Sequence, residues 1–227
     1  MIRAQQKVTL CIDFFYINAK HIFLMTYSEN ICFTTNSHVF NRKVKSYWPM
    51  LKAVCLMYEA RGLHIIKVKA DLEFLPLVRE LVNELPTSPV TEFAAQGMHV
   101  GPVERNIRYN KEKARSLRYT LPFDKILKVM VIHMMFTVTI VMNMFPRKGG
   151  NAIYSPQMIM TGRSVTIDDL NISFGSYVQF TIRGCSPKLP ARIFGIEREH
   201  TSQGWRGEVR RIQSENGKFW QRLISAR

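Results

Sequence analysis

Three acids stand apart by placement in this 227-residue chain: Asp13 inside an apolar run, Asp71 at the end of a second, and Glu104 at the head of a basic stretch. An ionised carboxylate within an apolar strand is costly unless a cation or hydrogen bonds offset it. Brought together, three carboxylates form an all-oxygen ligand set suited to Mg²⁺ or Mn²⁺. Such a site serves two-metal phosphoryl transfer, one ion activating the attacking oxygen and the other stabilising the leaving one. The plainer reading is three capped or ion-paired structural acids. The segment after Glu104 weighs against it. In a helix, Glu104, Arg108, Lys111, Arg115 and Arg118 fall at i, i+4, i+7, i+11 and i+14 and share one face, with Val103, Ile107, Ala114 and Leu117 as an adjacent apolar stripe. Six basic residues against one Glu from 105 to 118 are too one-sided to neutralise themselves. A metal-binding acid continued by a basic stripe can lay a phosphodiester backbone across a reaction centre.

The acids need strands to hold them. Val8, Leu10, Ile12, Phe14 and Tyr16 alternate with Thr9, Cys11, Asp13 and Phe15, and turn signals at 18–20 and 28–30 split residues 7–37 into a three-run antiparallel meander. Pro49 suits a first helical residue, with Met50, Val54, Met57 and Tyr58 at helical spacing and Gly62 as a stop. HIIKVKAD then reads as a strand ending at Asp71. A strand, a helix and a further strand imply a crossover that makes the last strand parallel to one of the meander, so the sheet is mixed and helices cover it. Residues 77–85 read as a short helix, and 86–101 as a loop with at most one short strand, before a second Pro-started helix at Pro102. Residues 124–145 are apolar nearly all round, and Pro146 with Arg147-Lys148-Gly149-Gly150 ends them.

The chain carries 32 Lys+Arg against 17 Asp+Glu, a formal charge of +15, while 46% of its residues are hydrophobic. That composition excludes a disordered basic tail and points to a polyanionic partner, nucleic acid first and an acidic membrane surface second. Val129 to Phe145 is uncharged over 17 residues but falls short of a span and includes His133, Thr137, Thr139 and Asn143; it reads as a buried helix, and no membrane association is expected. Cys11, Cys32, Cys55 and Cys185 show no paired spacing and read as reduced, buried, intracellular thiols. No signal peptide is evident. From about Thr181 the sequence turns Arg-rich, and the runs ARIFGIE, WRGEVRRI and KFWQRLI, separated by HTSQG and SENG, predict a small basic three-stranded unit.

The ordered set IDFF at 12–15, VKADLEF at 68–74, HVGPVERNIRYNKEKAR at 99–115, NMFP at 143–146, SPQMIMTGR at 155–163 and FGSYVQF at 174–180 resembles the integrase catalytic core of copia-type retrotransposon polyproteins. The intervals agree: 57 residues lie between Asp13 and Asp71, and 32 between Asp71 and Glu104. The resemblance implies a ribonuclease-H-like α/β core, a mixed five-stranded sheet flanked by helices, over residues 5–165, with a linker and small basic β region over 166–227. It implies a metal-dependent polynucleotidyl transferase that integrates DNA by transesterification, with Asp13, Asp71 and Glu104 as catalytic metal ligands for Mg²⁺ or Mn²⁺. Arg108 and Lys111 match positions with which related retroviral enzymes grip the element's DNA end, and Arg115 and Arg118 extend the same face. Element ends and target DNA would be the partners, self-association is expected, and the place of action would be the nucleus or a virus-like particle in the cytoplasm. A larger polyprotein would contain the chain. Leu72 departs from the family, which has Gly or Asn after the second aspartate, so crowding of the turn at Asp71 is expected. The alternative is a catalytically inactive, nucleic-acid-binding remnant of such an integrase.

Overall fold

In the computed structural model the described residues are 7–77, 80–81, 84–85, 88–95, 100–122, 124–166, 169 and 174–175, together with the backbone of six strands between 177 and 220. The alternating run forms β1 (Lys7–Ile17). Asn18 and Ala19, both at positive φ (51° and 53°), turn the chain into β2 (His21–Ser28), and β3 (Thr34–Val39) completes the antiparallel meander. The Lys20 N–H donates to the Ile17 carbonyl (3.2 Å) to close this turn, and Asn tolerates positive φ.

Helix α1 (Val44–Glu59) begins five residues before Pro49, the residue expected to open it. Asn41 accounts for the earlier start. Its Oδ1 accepts from the Lys43 N–H (3.0 Å) and the Ser46 hydroxyl (2.7 Å), closing a turn that launches the helix and leaves Pro49 inside at the loss of one intrahelical hydrogen bond. Gly62, at φ 69°, ends the turn after α1 as expected. The helix buries Tyr47, Trp48, Leu51, Val54, Cys55 and Tyr58 in one cluster with Val8, Leu10, Ile12 and Phe14, the even-numbered face of β1.

The chain then enters β4 (His64–Ala70), which pairs parallel to β1, and β5 (Val90–Phe93) pairs parallel to β4. The sheet order is β3-β2-β1-β4-β5. This is a mixed, five-stranded α/β sheet flanked by helices, as expected. Residues 72–77 form a 3-10 helix. Of the short helix expected over 77–85, residues 80, 81 and 84 are helical, and 78–79 and 82–83 lie outside the described residues.

Helix α2 (Gly101–Tyr119) meets the other face of the sheet: the Asn106 side-chain amide donates to Met25 Sδ (3.4 Å), and Met25 is the cross-strand partner of Asp13. The apolar segment becomes α3 (Lys128–Met144), and α4 (Pro156–Thr161) follows, with Ser155 as its N-cap and Gly162 closing it at φ 71°. Among the described residues no helix is long and apolar enough to cross a membrane. Asn143 and His133 are buried at 5% and 4% exposure, as a packed helix requires. Cys11, Cys32 and Cys55 are free and buried; Cys185 lies outside the described residues.

Contacts divide the chain into residues 1–113 with 139–165 and residues 114–138 with 166–227. In the second unit, Leu121 and Met130 form a small cluster with Ile126 and Phe174. Its strands are β6 (Tyr177–Phe180), β7 (Leu189–Ile193), β8 (Glu197–Thr201), β9 (Gly204–Glu208), β10 (Ile212–Gln213) and β11 (Phe219–Trp220). They form a four-stranded sheet, β11-β10-β7-β6, and a separate β8–β9 hairpin, where a three-stranded unit was expected. The run WRGEVRRI is shared between the two: its first part pairs locally across the HTSQG turn, while Ile212 aligns with Ile193 on one side and Trp220 on the other.

Candidate metal centre

The last paired residues of β1 and β4 are Cys11 and Lys69; two residues further along each chain stand Asp13 and Asp71. Parallel pairing of neighbouring strands therefore brings both aspartates to the same level of the sheet, where β4 ends and β1 runs on beside β2. At Asp71 the chain leaves the strand, its carbonyl accepting from the Phe74 N–H (3.0 Å) to open the 3-10 helix. Phe74 is buried, stacks on Phe14 with centroids 4.8 Å apart, and meets Tyr47 edge-on at 5.7 Å. That aromatic anchor fixes the short helix against the core and turns Glu73 back toward the strand ends. One oxygen each from Asp13, Asp71 and Glu73 lies within 4.8 Å of the others.

The oxygens differ in setting. Asp13 and Asp71 are half-buried and Glu73 is exposed. Asp13 Oδ1 accepts from the Phe14 N–H at 2.7 Å, and Asp71 Oδ1 is shielded from solvent. Glu73 pairs with Arg42, whose guanidinium also lies over the Phe14 ring at 5.5 Å. Three carboxylates this close repel one another unless a cation is shared among them, and Arg42 supplies only part of that balance at the exposed end. A hard divalent ion preferring oxygen ligands, Mg²⁺ or Mn²⁺, fits the donor set and its spacing.

Of the expected site residues, the structure thus brings Asp13 and Asp71 together and joins Glu73 to them. Glu104 sits in the first turn of α2, exposed, and is not part of this group. Leu72, expected to crowd the turn, is 48% exposed and does not have positive φ, so nothing at this turn demands glycine. On α2, Arg108 and Arg115 are exposed. Lys111 is half-buried with its ammonium 5.6 Å from the Phe15 centroid, and Arg118 donates to the Asp124 carbonyl.

No family model matches the chain, and no curated protein does. Solved integrase cores are similar to it. The catalytic core domain of BIV integrase shares 14% identity at a TM-score of 0.43, over 67% of this chain and 92% of that one. The HTLV-2 integrase catalytic core domain, in complex with magnesium and in a trimeric form, shares 8% identity at a TM-score of 0.45, over 69% of this chain and 96% of that one. Both scores are low, and what the acids can do follows from this chain's own geometry.

Sequence reasoning missed more than Glu73. The buried face of α2 contains Val103, Asn106, Ile107, Asn110 and Ala114, so two asparagines occupy positions of the apolar stripe. Asn106 donates to Thr34 Oγ1 (2.8 Å) and accepts from Arg147 Nη1 (2.8 Å), and Asn110 donates to Thr139 Oγ1 (3.1 Å). The signal was available: 103, 106, 107, 110 and 114 are one helical face whatever the residue type.

Proposed function

We propose that the chain is an integrase-like polynucleotidyl transferase that joins DNA by transesterification, as the copia-type resemblance implies. The observation that carries this reading is the meeting of Asp13 and Asp71 from adjacent parallel strands with a third carboxylate beside them. Asp13, Asp71 and Glu73 would hold the divalent cation; Glu104, which the resemblance assigns, is the competing third ligand. Mg²⁺ or Mn²⁺ bound there would supply charge neutralisation at the reacting phosphodiester and a more acidic attacking hydroxyl. The protein's part is placement. The two aspartates are set by strand pairing, Phe74 fixes Glu73, and Arg108 and Lys111 in the middle of α2 contact backbone phosphates without reading sequence. Element ends and target DNA are the partners of this reading, self-association and action in the nucleus or a virus-like particle belong to it, and no membrane is involved.

The inactive binding remnant has one observation in its favour: Arg42 already pairs with Glu73, placing the protein's own cation beside the acids. A strand-transfer assay separates the two. The full chain, given a DNA end with a free 3′ hydroxyl, a target plasmid and Mn²⁺, should form joined product, and Asp71→Asn should abolish joining while leaving DNA retention on a filter unchanged. DNA retention without joining in either metal would establish the remnant.

A further inference from the structure

The first unit contains a second place where chemistry converges, and none of its lining belongs to the acid group. A cleft of about 420 Å³ is lined by Arg105, Arg108, Arg147 and Lys148 together with Tyr27 and Tyr109, all within residues 1–113 and 139–165. The volume is that of a small-ligand site. Two acids also border it, but Glu29 is committed to Lys69, whose ammonium donates to both carboxylate oxygens at 3.0 and 3.2 Å. Four cations therefore face Glu112 as the remaining acid.

Arg147 is held in place. Its Nη1 donates to Asn106 Oδ1 (2.8 Å) and reaches Thr34 Oγ1 (3.4 Å), and its guanidinium lies 5.4 Å from the Tyr109 centroid and 5.9 Å from that of Tyr27. It is half-buried, and no carboxylate among the described residues pairs with it. An arginine fixed by a buried amide and two aromatic rings, with no anion of its own, has already lost the rotamer freedom that binding would otherwise cost. Arg105, Arg108 and Lys148 are exposed around it and make no hydrogen bond or ion pair among the described residues. A monocarboxylate would leave most of these donors unused. A phosphate, with two negative charges and several acceptor oxygens, matches planar guanidinium forks and a point-charge ammonium together.

We propose that this cleft is a phosphate-binding site, separate from the Asp13, Asp71 and Glu73 group, which takes the phosphate of a small ester or the 5′-terminal phosphate of a nucleic acid. The site stands without the strand-transfer reading, although Arg108 borders it as well as contacting DNA there. The test is calorimetric titration of the full chain with inorganic phosphate, in chelator so that the acid group holds no cation. Saturable binding is expected. Arg105→Gln with Lys148→Gln changes exposed side chains only and should weaken binding by about tenfold or more. Arg147→Lys keeps the charge but loses the fork and the ring stacking, and should also weaken binding by about tenfold. Two tetranucleotides, one with a 5′ phosphate and one with a 5′ hydroxyl, identify the source. Tighter binding of the phosphorylated one points to a nucleic-acid end, and equal binding with phosphate still saturable points to a small ester. Absence of saturable phosphate binding, or a double variant that binds phosphate as the unmodified chain does, would overturn the proposal.

Discussion

Glu73 and Glu104 differ in what positions them. Glu73 follows Asp71 by two residues on a 3-10 helix anchored through Phe74, and its carboxylate shares the 4.8 Å group with both aspartates. Glu104 projects from the first turn of α2, exposed. Glu73→Gln should therefore weaken Mn²⁺ binding by about tenfold or more, whereas Glu104→Gln should leave it within about twofold. Water-proton relaxation enhancement reads both, and the opposite ranking would return Glu104 to the metal. Asp13 and Asp71 were legible in the sequence because strand alternation makes an acid in an apolar run conspicuous and a crossover makes two such strands neighbours. Glu73 was not, since residues 72–76 fall between a strand ending at Asp71 and a short helix expected from residue 77, and no element is read there to position it. Phe74 and Leu77, both buried, are the apolar pair that fixes the short helix, and their three-residue spacing directly after Glu73 was the signal to use.

At the scale of elements, β3 is one of the two outer strands of the five-stranded sheet, and its edge would invite non-native pairing if left open. Helix α3 covers that edge at Thr34, the first residue of β3, with one side chain. Asn143 accepts from the Thr34 N–H (2.9 Å) and donates to the Thr34 carbonyl (2.7 Å), standing in for a neighbouring strand. Thr139, one turn earlier, accepts from Asn36 (2.6 Å) on the same strand. Asn143→Ala should cost about 2 kcal/mol, because two backbone groups are stranded in a buried setting; urea unfolding would show it, and a loss below about 0.5 kcal/mol would mean water replaces the amide. The helix itself was legible from its apolar run, and so was the burial of Asn143. Its partner was not, because a hydrogen bond between residues 109 apart has no periodicity to betray it. The start of α1 was misplaced for a related reason: proline at a first-turn position is a strong local signal, but the Asn41 side chain, binding two residues ahead and five ahead, set the helix start earlier.

For the whole molecule, a formal charge of +15 makes association with a polyanion strongly dependent on salt, since each neutralised phosphate releases condensed counterions. Arg108→Ala should reduce the slope of log affinity against log salt by about one unit on any DNA sequence. Fluorescence anisotropy across a salt series measures it, and an unchanged slope would remove Arg108 from the interface. The mixed sheet followed from the order of strand, helix and strand, whereas the partition of the C-terminal strands into a four-stranded sheet and a hairpin did not, because neighbouring runs of similar composition can pair in several ways. Mn²⁺ titration of the full chain, with free ion read by electron paramagnetic resonance, shows whether strand pairing builds a divalent-cation site from Asp13 and Asp71 with a third acid beside them. The unmodified chain should bind Mn²⁺ saturably, and Asp13→Asn and Asp71→Asn should each weaken binding by about tenfold or more while circular dichroism stays unchanged. Saturable binding that both variants retain at full strength would contradict such a site.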